Sequence, residues 1–258
     1  NNICFIFFLL LAVLPVHSEN SSHFSIYEIA CEQQVEPLGI ESKSPRFSWK
    51  VTSQKRTYRQ SAYRILVADS EEALAVGKAT VWDSGKLFSA NSVLIPFQGK
   101  ELHSATRYYW KVKVWNEAGE ESAWSKQGSF VTGMMKERDW GKAQWIALEK
   151  DDPAKNLYPG IHAPLVRKMI GERKVGGYKL PMFRKELSLN KEVKEAIVNI
   201  SGLGHFDFYI NGGKVGNHFL DPGWTNYAKT ALYLTFDVTT LLQKKNVLGI
   251  MLGNCLLY

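Results

Sequence analysis

From about Phe24 to Thr132, apolar and polar residues alternate in short runs: "RFSWKV", "AYRILVAD", "TVWDSGKL", "SVLIPF", "TRYYWKVKVWN" and "GSFVTG". Successive side chains of a strand point to opposite faces, so a period of two predicts half-buried strands. The runs are rich in β-branched and aromatic residues, and Ser, Gly, Asn or Pro clusters separate them. "RYYWKVKVWNEAGEESAWS" is the clearest case. Tyr109, Lys111 and Lys113 fall on one face, Tyr108, Trp110, Val112 and Val114 on the other, and "NEAGE" makes the turn. No helical pattern longer than "SEEALAV" (Ser70–Val76) interrupts the series. A sandwich of short strands over 24–133 is predicted.

A second unit is predicted over 139–258. "WGKAQWI", from Trp140 to Ile146, reads as a linker and first strand. The polar stretch 149–181, at about 30 residues, is longer than an ordinary connection and reads as a functional loop or a mobile insert. From Met182 strand patterns resume: "MFRKELSL", "EAIVNISGLG", "HFDFYING", "KVGNHFL", "ALYLTFDV" and "NVLGIMLGN". Asp237 is placed to cap the short turn "VTTLL", its carboxylate accepting from free amides at a helix start. The fold class is therefore all-β, with one β-sandwich followed by a second of jelly-roll type. The second sandwich is expected to be incomplete at its C-terminus.

The most strongly patterned passage is "FYINGGKVGNHFLDPGWTNY" (Phe208–Tyr227). Asn211 and Gly212 tolerate positive φ, as a two-residue type I′ loop demands, so "DFYINGGKV" predicts a hairpin. Gly213 would ease its exit through a bulge. Beyond it, Asp221, Pro222, Gly223 and Trp224 predict a turn that presents an aromatic plane. Trp224, Tyr227 and Asp221 are the candidates for carbohydrate contact or interdomain anchoring, and anchoring is the preferred role for Trp224. Asp207 and Asp221 could order backbone or a cation, with the structural role preferred.

Charge changes this picture little. The 258 residues carry 32 basic and 25 acidic side chains, a net charge of +7, but the bases are dispersed among acids, as in "NKEVKEA". A nucleic-acid binder gathers them on one face, so no nucleic-acid partner is expected. "ICFIFFLLLAVLPV" (Ile3–Val16) is apolar for about 14 residues, too short to span a bilayer, and a polar segment follows it. That is the pattern of a secretory signal over 1–18, with cleavage after Ser18, a secreted or periplasmic protein, and no membrane span once the signal is removed. The opening "NNI" lacks both Met and a basic segment and reads as part of a longer sequence. With Cys4 inside the signal, Cys31 and Cys255 make no disulfide framework. Asn20 and Asn199 head glycosylation sequons that matter only in a eukaryotic secretory pathway.

The first half resembles a fibronectin type III or immunoglobulin-like domain. The resemblance implies that Trp49 is its buried strand tryptophan and Tyr108 its corner tyrosine, bonded to upstream backbone. Trp82, Trp115 and Trp124 read as core residues too. In the second half, "ISGLGHFDFYINGGKVGNHFLDPGWTNYAKTALYLTFDVTTLLQKKNVLGIMLGN" resembles the N-terminal domain of bacterial α-L-rhamnosidases, from about Lys185 to Asn254. "LDPGWTNY", "FDVTTLL" and "GIMLGN" carry the likeness, and the preceding fibronectin-like unit and "AQWI" fit the family's order. The family continues "GNGWY", whereas this chain reads "GNCLLY". A frameshift, a mis-predicted exon or a fragmentary assembly would give that departure, and so would natural divergence.

The resemblance implies a non-catalytic N-terminal portion of an exported inverting α-L-rhamnosidase. Its rhamnose-containing oligo- or polysaccharide substrate would meet an (α/α)6 barrel absent from this chain. An inverting hydrolase needs two carboxyl groups about 6.5–9.5 Å apart, and no motif here marks such a pair. Glu149, Asp151 and Asp152 read as a solvated acidic loop. No catalytic residue, metal site or cofactor is expected. Two alternatives stay open: the sugar-binding domain of a β-galactosidase- or β-glucuronidase-like enzyme, and a free-standing carbohydrate-binding module.

Overall fold

A computed structural model describes residues 24–147 and 180–253. The expected signal over 1–18, Cys255 and all but the last two residues of the 149–181 stretch lie outside the described residues.

The first sandwich is built from β1 (Phe24–Cys31), β2 (Arg46–Ser53), β3 (Gln60–Ala68), β4 (Trp82–Asp83), β5 (Leu87–Phe88), β6 (Ile95–Pro96), β7 (Arg107–Asn116) and β8 (Gly128–Val131). One sheet runs β1-β2-β6 and the other β4-β3-β7-β8, with β5 also paired to β3. Every neighbouring pair is antiparallel. The alternation predicted for β7 is the alternation observed: Tyr108, Trp110, Val112 and Val114 are buried, and Arg107, Tyr109, Lys111 and Lys113 are not. The buried set meets Phe47, Trp49 and Phe130 between the sheets, and the Phe47 ring lies 4.5 Å from that of Trp110. Each such side chain contributes roughly 1.5–3 kcal/mol by leaving water.

The buried polar side chains of Trp49, Gln60 and Tyr108 are partnered, as burial requires, whereas the Tyr58 hydroxyl at the edge of this core has no partner among the described residues. Trp49 Nε1 donates to Gln60 Oε1 at 2.9 Å, and Gln60 Nε2 donates to the Ser89 and Asn91 carbonyls at 3.1 and 2.9 Å. Tyr108 is the expected corner: its hydroxyl accepts from the His103 amide, five residues upstream, at 2.9 Å. Trp82 and Trp115 are buried, and the Lys111 and Lys113 ammoniums lie 5.2 and 5.1 Å from the Trp124 ring centroid. Strand β1 escaped the pattern reading because a bulge between Ile26 and Glu28 breaks its alternation. A short helix, α1 (Glu71–Ala75), follows β3, with Ser70 as N-cap accepting from the Ala73 amide.

The second unit comprises β9 (Met182–Ser188), β10 (Ile197–Ser201), β11 (Phe206–Ile210), β12 (Gly213–Lys214), β13 (Tyr233–Asp237) and β14 (Lys245–Leu252). They form two sheets, β12-β11-β14-β9 and β10-β13, around Phe206, Phe208, Ile210, Val215, Phe236 and Val238. Three expectations need correction. Residues 141–147 form no strand: a 3-10 turn over Glu137–Trp140 precedes them, and Trp145 and Ile146 are exposed. "KVGNHFL" keeps strand geometry only through Lys214, because Gly216 turns the chain at φ +77°. Gly213 makes no bulge, since it pairs directly with Ile210.

The hairpin turn itself is as predicted, with Asn211 at φ +52° and Gly212 at φ +86°. Asn211 does more than accept that backbone. Its Oδ1 accepts from the Val247 amide at 2.9 Å, and its Nδ2 donates to Asn246 Oδ1 at 3.1 Å. The turn is thereby fastened to the start of β14.

Replacing Tyr108 by Phe removes the acceptor of the part-buried His103 amide. Urea unfolding of the variant is expected to show a loss of about 1–3 kcal/mol. An unchanged midpoint would show that the corner bond contributes nothing net.

Candidate functional site

Strand β13 has two faces: one fills the second core and the other lies against the first sandwich. Leu234 and Phe236 turn into the second sandwich, while Tyr233, Thr235 and Asp237, at the alternate positions, meet the first. This follows from the period of two in "YLTFD". The result is a joint in which one strand serves as the wall of one sandwich and the docking face of the other.

At the Asp237 end the contact is ionic. Arg107, the first residue of β7, donates from Nε to Glu195 and from Nη2 to Asp237, and its Nη1 reaches Ser129 Oγ at 3.2 Å. The Arg107 side chain is largely buried, at 15% exposure, while its two acidic partners keep about a third of theirs. Burial alone would lower the guanidinium pKa, but bonding to Glu195 and the field of both carboxylates carry the balance upward. Asp237 also accepts from the Thr239 amide through Oδ1 at 3.0 Å, the turn-capping role expected for it. A weaker pair, Lys194 with Glu72 at 3.6 Å, joins the units beside this clamp.

At the Tyr233 end the contact is close-packed. The Tyr233 hydroxyl accepts from the Met134 amide at 2.8 Å, and the Trp140 ring stands edge-on to it, 5.2 Å between centroids. Burial first, and the Glu41 carboxylate second, push this hydroxyl up to about 12. The fit depends on glycine: a Cβ on Gly133 would sit 2.2 Å from the Tyr233 hydroxyl. One on Gly39 would sit 2.7 Å from Thr235 Oγ1.

The predicted candidates lie on one loop beside this joint, not within it. Trp224 is 63% exposed, so among the described residues it does not anchor the two units, and Arg107, Trp140 and Tyr233 fill that role. Asp221 pairs with His218 at 3.1 Å, and its carbonyl accepts from the Phe206 amide at 2.8 Å. Tyr227 is partly buried within the same loop. Asp207 pairs with Lys214 at 2.7 Å, a structural role across the hairpin. No group of three or more metal-ligating side chains occurs among the described residues. Likewise, no described helix is long and apolar enough to cross a membrane.

Two predictions follow from the joint. Arg107→Met strands Glu195 and Asp237 without a counter-ion and should cost about 1–2 kcal/mol, less than a fully buried pair because both acids remain partly in water. Thermal or urea unfolding reads it, and an unchanged stability would reduce the clamp to a surface contact. Tyr233, with its folded pKa raised from 10 to about 12, contributes stability that is present below pH 10 and lost as pH climbs toward 12. Other buried tyrosines share that trend, so the measurement is the difference between the native chain and Tyr233→Phe. That difference should shrink across the same interval, and a constant one would place the tyrosine outside the coupling.

The comparisons with known proteins agree with this architecture. Residues 26–136 match the Rha78A-like, N-terminal immunoglobulin domain, and residues 191–257 match the alpha-L-rhamnosidase N-terminal domain. An α-L-rhamnosidase of Formosa agariphila is 44% identical over 219 residues, which are 84% of this chain and 23% of that protein. The solved α-L-rhamnosidase from Dictyoglumus thermophilum superposes with a TM-score of 0.77 at 35% identity, over 92% of this chain and 26% of that one. The Aspergillus terreus enzyme gives 0.70 at 27% identity, over 89% of this chain and 24% of that one. The chain thus spans about a quarter of the length of the relatives it matches. It carries, in order, the N-terminal immunoglobulin domain and the N-terminal domain that mark the start of α-L-rhamnosidases.

Proposed function

We propose that this chain is the non-catalytic, N-terminal part of an enzyme that removes terminal α-L-rhamnose, with inversion, from oligo- or polysaccharides. The observation that carries this is the pair of family matches, in order along one chain and continuous with 44% identity to a rhamnosidase. The joint fits such a part. A doubly fastened pair of sandwiches gives a rigid shoulder on which a catalytic domain would be seated.

The acidic residues at the joint are poor candidates for the chemistry. Inverting hydrolysis needs one carboxyl group held protonated and a second free to activate water, about 6.5–9.5 Å away. Glu195 and Asp237 instead share one guanidinium, which occupies oxygens a water would need. Their role is that of structural anions.

The test is a hybrid enzyme. Residues 24–253 would replace the matching N-terminal portion of the Formosa agariphila protein, and hydrolysis of a chromogenic α-L-rhamnoside would be followed. The hybrid should fold and turn over, and the 258-residue chain alone should release no rhamnose. Release by the chain alone, or a hybrid that binds its partner domains yet never hydrolyses rhamnosides, would overturn the reading. The apolar run Ile3–Val16 with the polar segment behind it supports a further proposal, that the protein is exported. Mass spectrometry of the extracellular product should find Glu19 at its N-terminus. Retention inside the cell with residues 1–18 intact would count against it.

A further inference from the structure

The chain holds one Asn-Gly pair, Asn211-Gly212, at the tip of the hairpin between β11 and β12. In such a pair the backbone nitrogen of the second residue can close on the side-chain amide carbon of the first. A Cβ on the second residue would hinder that approach, and glycine has none. The turn is also open to solvent: Asn211 and Gly212 are exposed, and a Cβ built on Gly212 would meet nothing within 4 Å. Water and hydroxide therefore reach both partners. The other asparagines among the described residues precede Ser, Glu, Lys, Ile, His, Tyr or Val, each of which carries a Cβ.

What opposes the attack is a latch. Asn211 Oδ1 accepts from the Val247 amide at 2.9 Å, and its Nδ2 donates to Asn246 Oδ1 at 3.1 Å and to the Leu241 carbonyl at 3.2 Å. The Asn211 backbone amide donates to the Val247 carbonyl at 2.9 Å. The side-chain amide is thus turned onto the start of β14, and it cannot rotate toward the Gly212 nitrogen without breaking these bonds. Asn246 has no freedom to turn in response. It is 2% exposed, its Oδ1 accepts from the Gln243 amide at 2.8 Å, and its Nδ2 donates to the Gln243 carbonyl at 2.6 Å. Toward Asn211 it therefore presents an oxygen. Position 211 must supply a donor, which an amide does and a carboxylate does not.

We propose that Asn211 is a site of self-modification, a deamidation centre that the latch to β14 holds in check. When the hairpin tip opens, the Gly212 nitrogen gives up its proton to hydroxide and bonds to the Asn211 side-chain carbon. The bond from that carbon to Nδ2 breaks, and the nitrogen takes up a proton and leaves as ammonia. Water then adds to either carbonyl of the cyclic imide and opens it to aspartate or isoaspartate. The net change consumes one water and releases one ammonia, with nothing oxidised or reduced. The product cannot restore the latch. Its carboxylate only accepts, yet it faces the Asn246 Oδ1 and Leu241 carbonyl oxygens. Isoaspartate also lengthens the backbone inside the turn that the Ile210–Gly213 pairing closes. Nothing in this step rests on the rhamnosidase reading.

The experiment ages the 258-residue chain at mildly alkaline pH, native in one sample and unfolded in guanidinium in the other. Tryptic mass spectrometry follows the peptide 195–214, which holds both Asn199 and Asn211. The mass gain of an amide turned into a carboxyl should appear at Asn211 and not at Asn199. It should be at least about tenfold slower in the native sample, because the side-chain bonds must break together before attack. Asn246→Ala removes one acceptor of the latch and should speed the native reaction about threefold. The aged product, separated from its parent by the added negative charge, should unfold at a lower guanidinium concentration. Equal rates in the native and unfolded samples overturn the latch, as does an unchanged rate in a folded Asn246→Ala chain. If that variant does not fold, the ratio of native to unfolded rates alone decides the latch. No gain at Asn211 in the unfolded sample, or an earlier gain at another asparagine, overturns the site. A deamidated product as stable as its parent overturns the loss of the latch.

Discussion

The constraint on which the two-unit architecture depends is that β13 must satisfy two environments at a repeat of two residues. Its even positions, Leu234 and Phe236, fill the second core, while its odd positions, Tyr233, Thr235 and Asp237, dock the first sandwich. A shift of register by one residue would exchange the two sets and destroy both surfaces at once. Pairing with β10, from Ile197↔Asp237 to Ser201↔Tyr233, fixes that register. The Arg107 clamp and the Tyr233 contact then stand at the two ends of a single strand, so tilting one sandwich on the other must break one or the other.

Electrostatics and close contact divide the work differently at these two ends. Arg107 reaches carboxylates that are still partly wet, so its contribution is modest and direction-setting. Tyr233 sits against backbone where two glycines leave no room for a side chain, which makes that end the more exacting in shape. A cleft between the two sandwiches borders this second end. Its geometry is therefore inherited from the part of the joint with the least freedom to adjust.

Much of the fold was legible because alternation reports burial directly. The β7 faces, the Tyr108 corner, Trp49 and the Asn211-Gly212 turn all follow from local pattern and turn chemistry. The joint was not legible for the same reason. Tyr233, Thr235 and Asp237 are polar or amphipathic, so alternation alone reads their face as solvent, and nothing local distinguishes Arg107 from the lysines that share its face of β7. Strand β1 was hidden by its bulge, and the "AQWI" segment carries a strand's composition without a partner among the described residues. The Trp224 loop was found from its residue types. Only the fold could show that His218 and Leu232, from the stretch that carries Trp224, face Glu36 to Glu41 of the first sandwich across one cleft.

Arg107 and Asp237 are 130 residues apart in the chain. At translation rates of about 5–20 residues per second, the first sandwich emerges on the order of ten seconds before its acidic partners exist. During that interval the guanidinium has the Ser129 hydroxyl beside it and open water where β13 will lie. The clamp is thus a late event of synthesis, which closes only once the second sandwich has acquired its register. A ribosome that stalls before residue 237 would leave an immunoglobulin-like domain whose Arg107 lacks its Asp237 partner, and that open guanidinium would tell a half-made protein from a finished one.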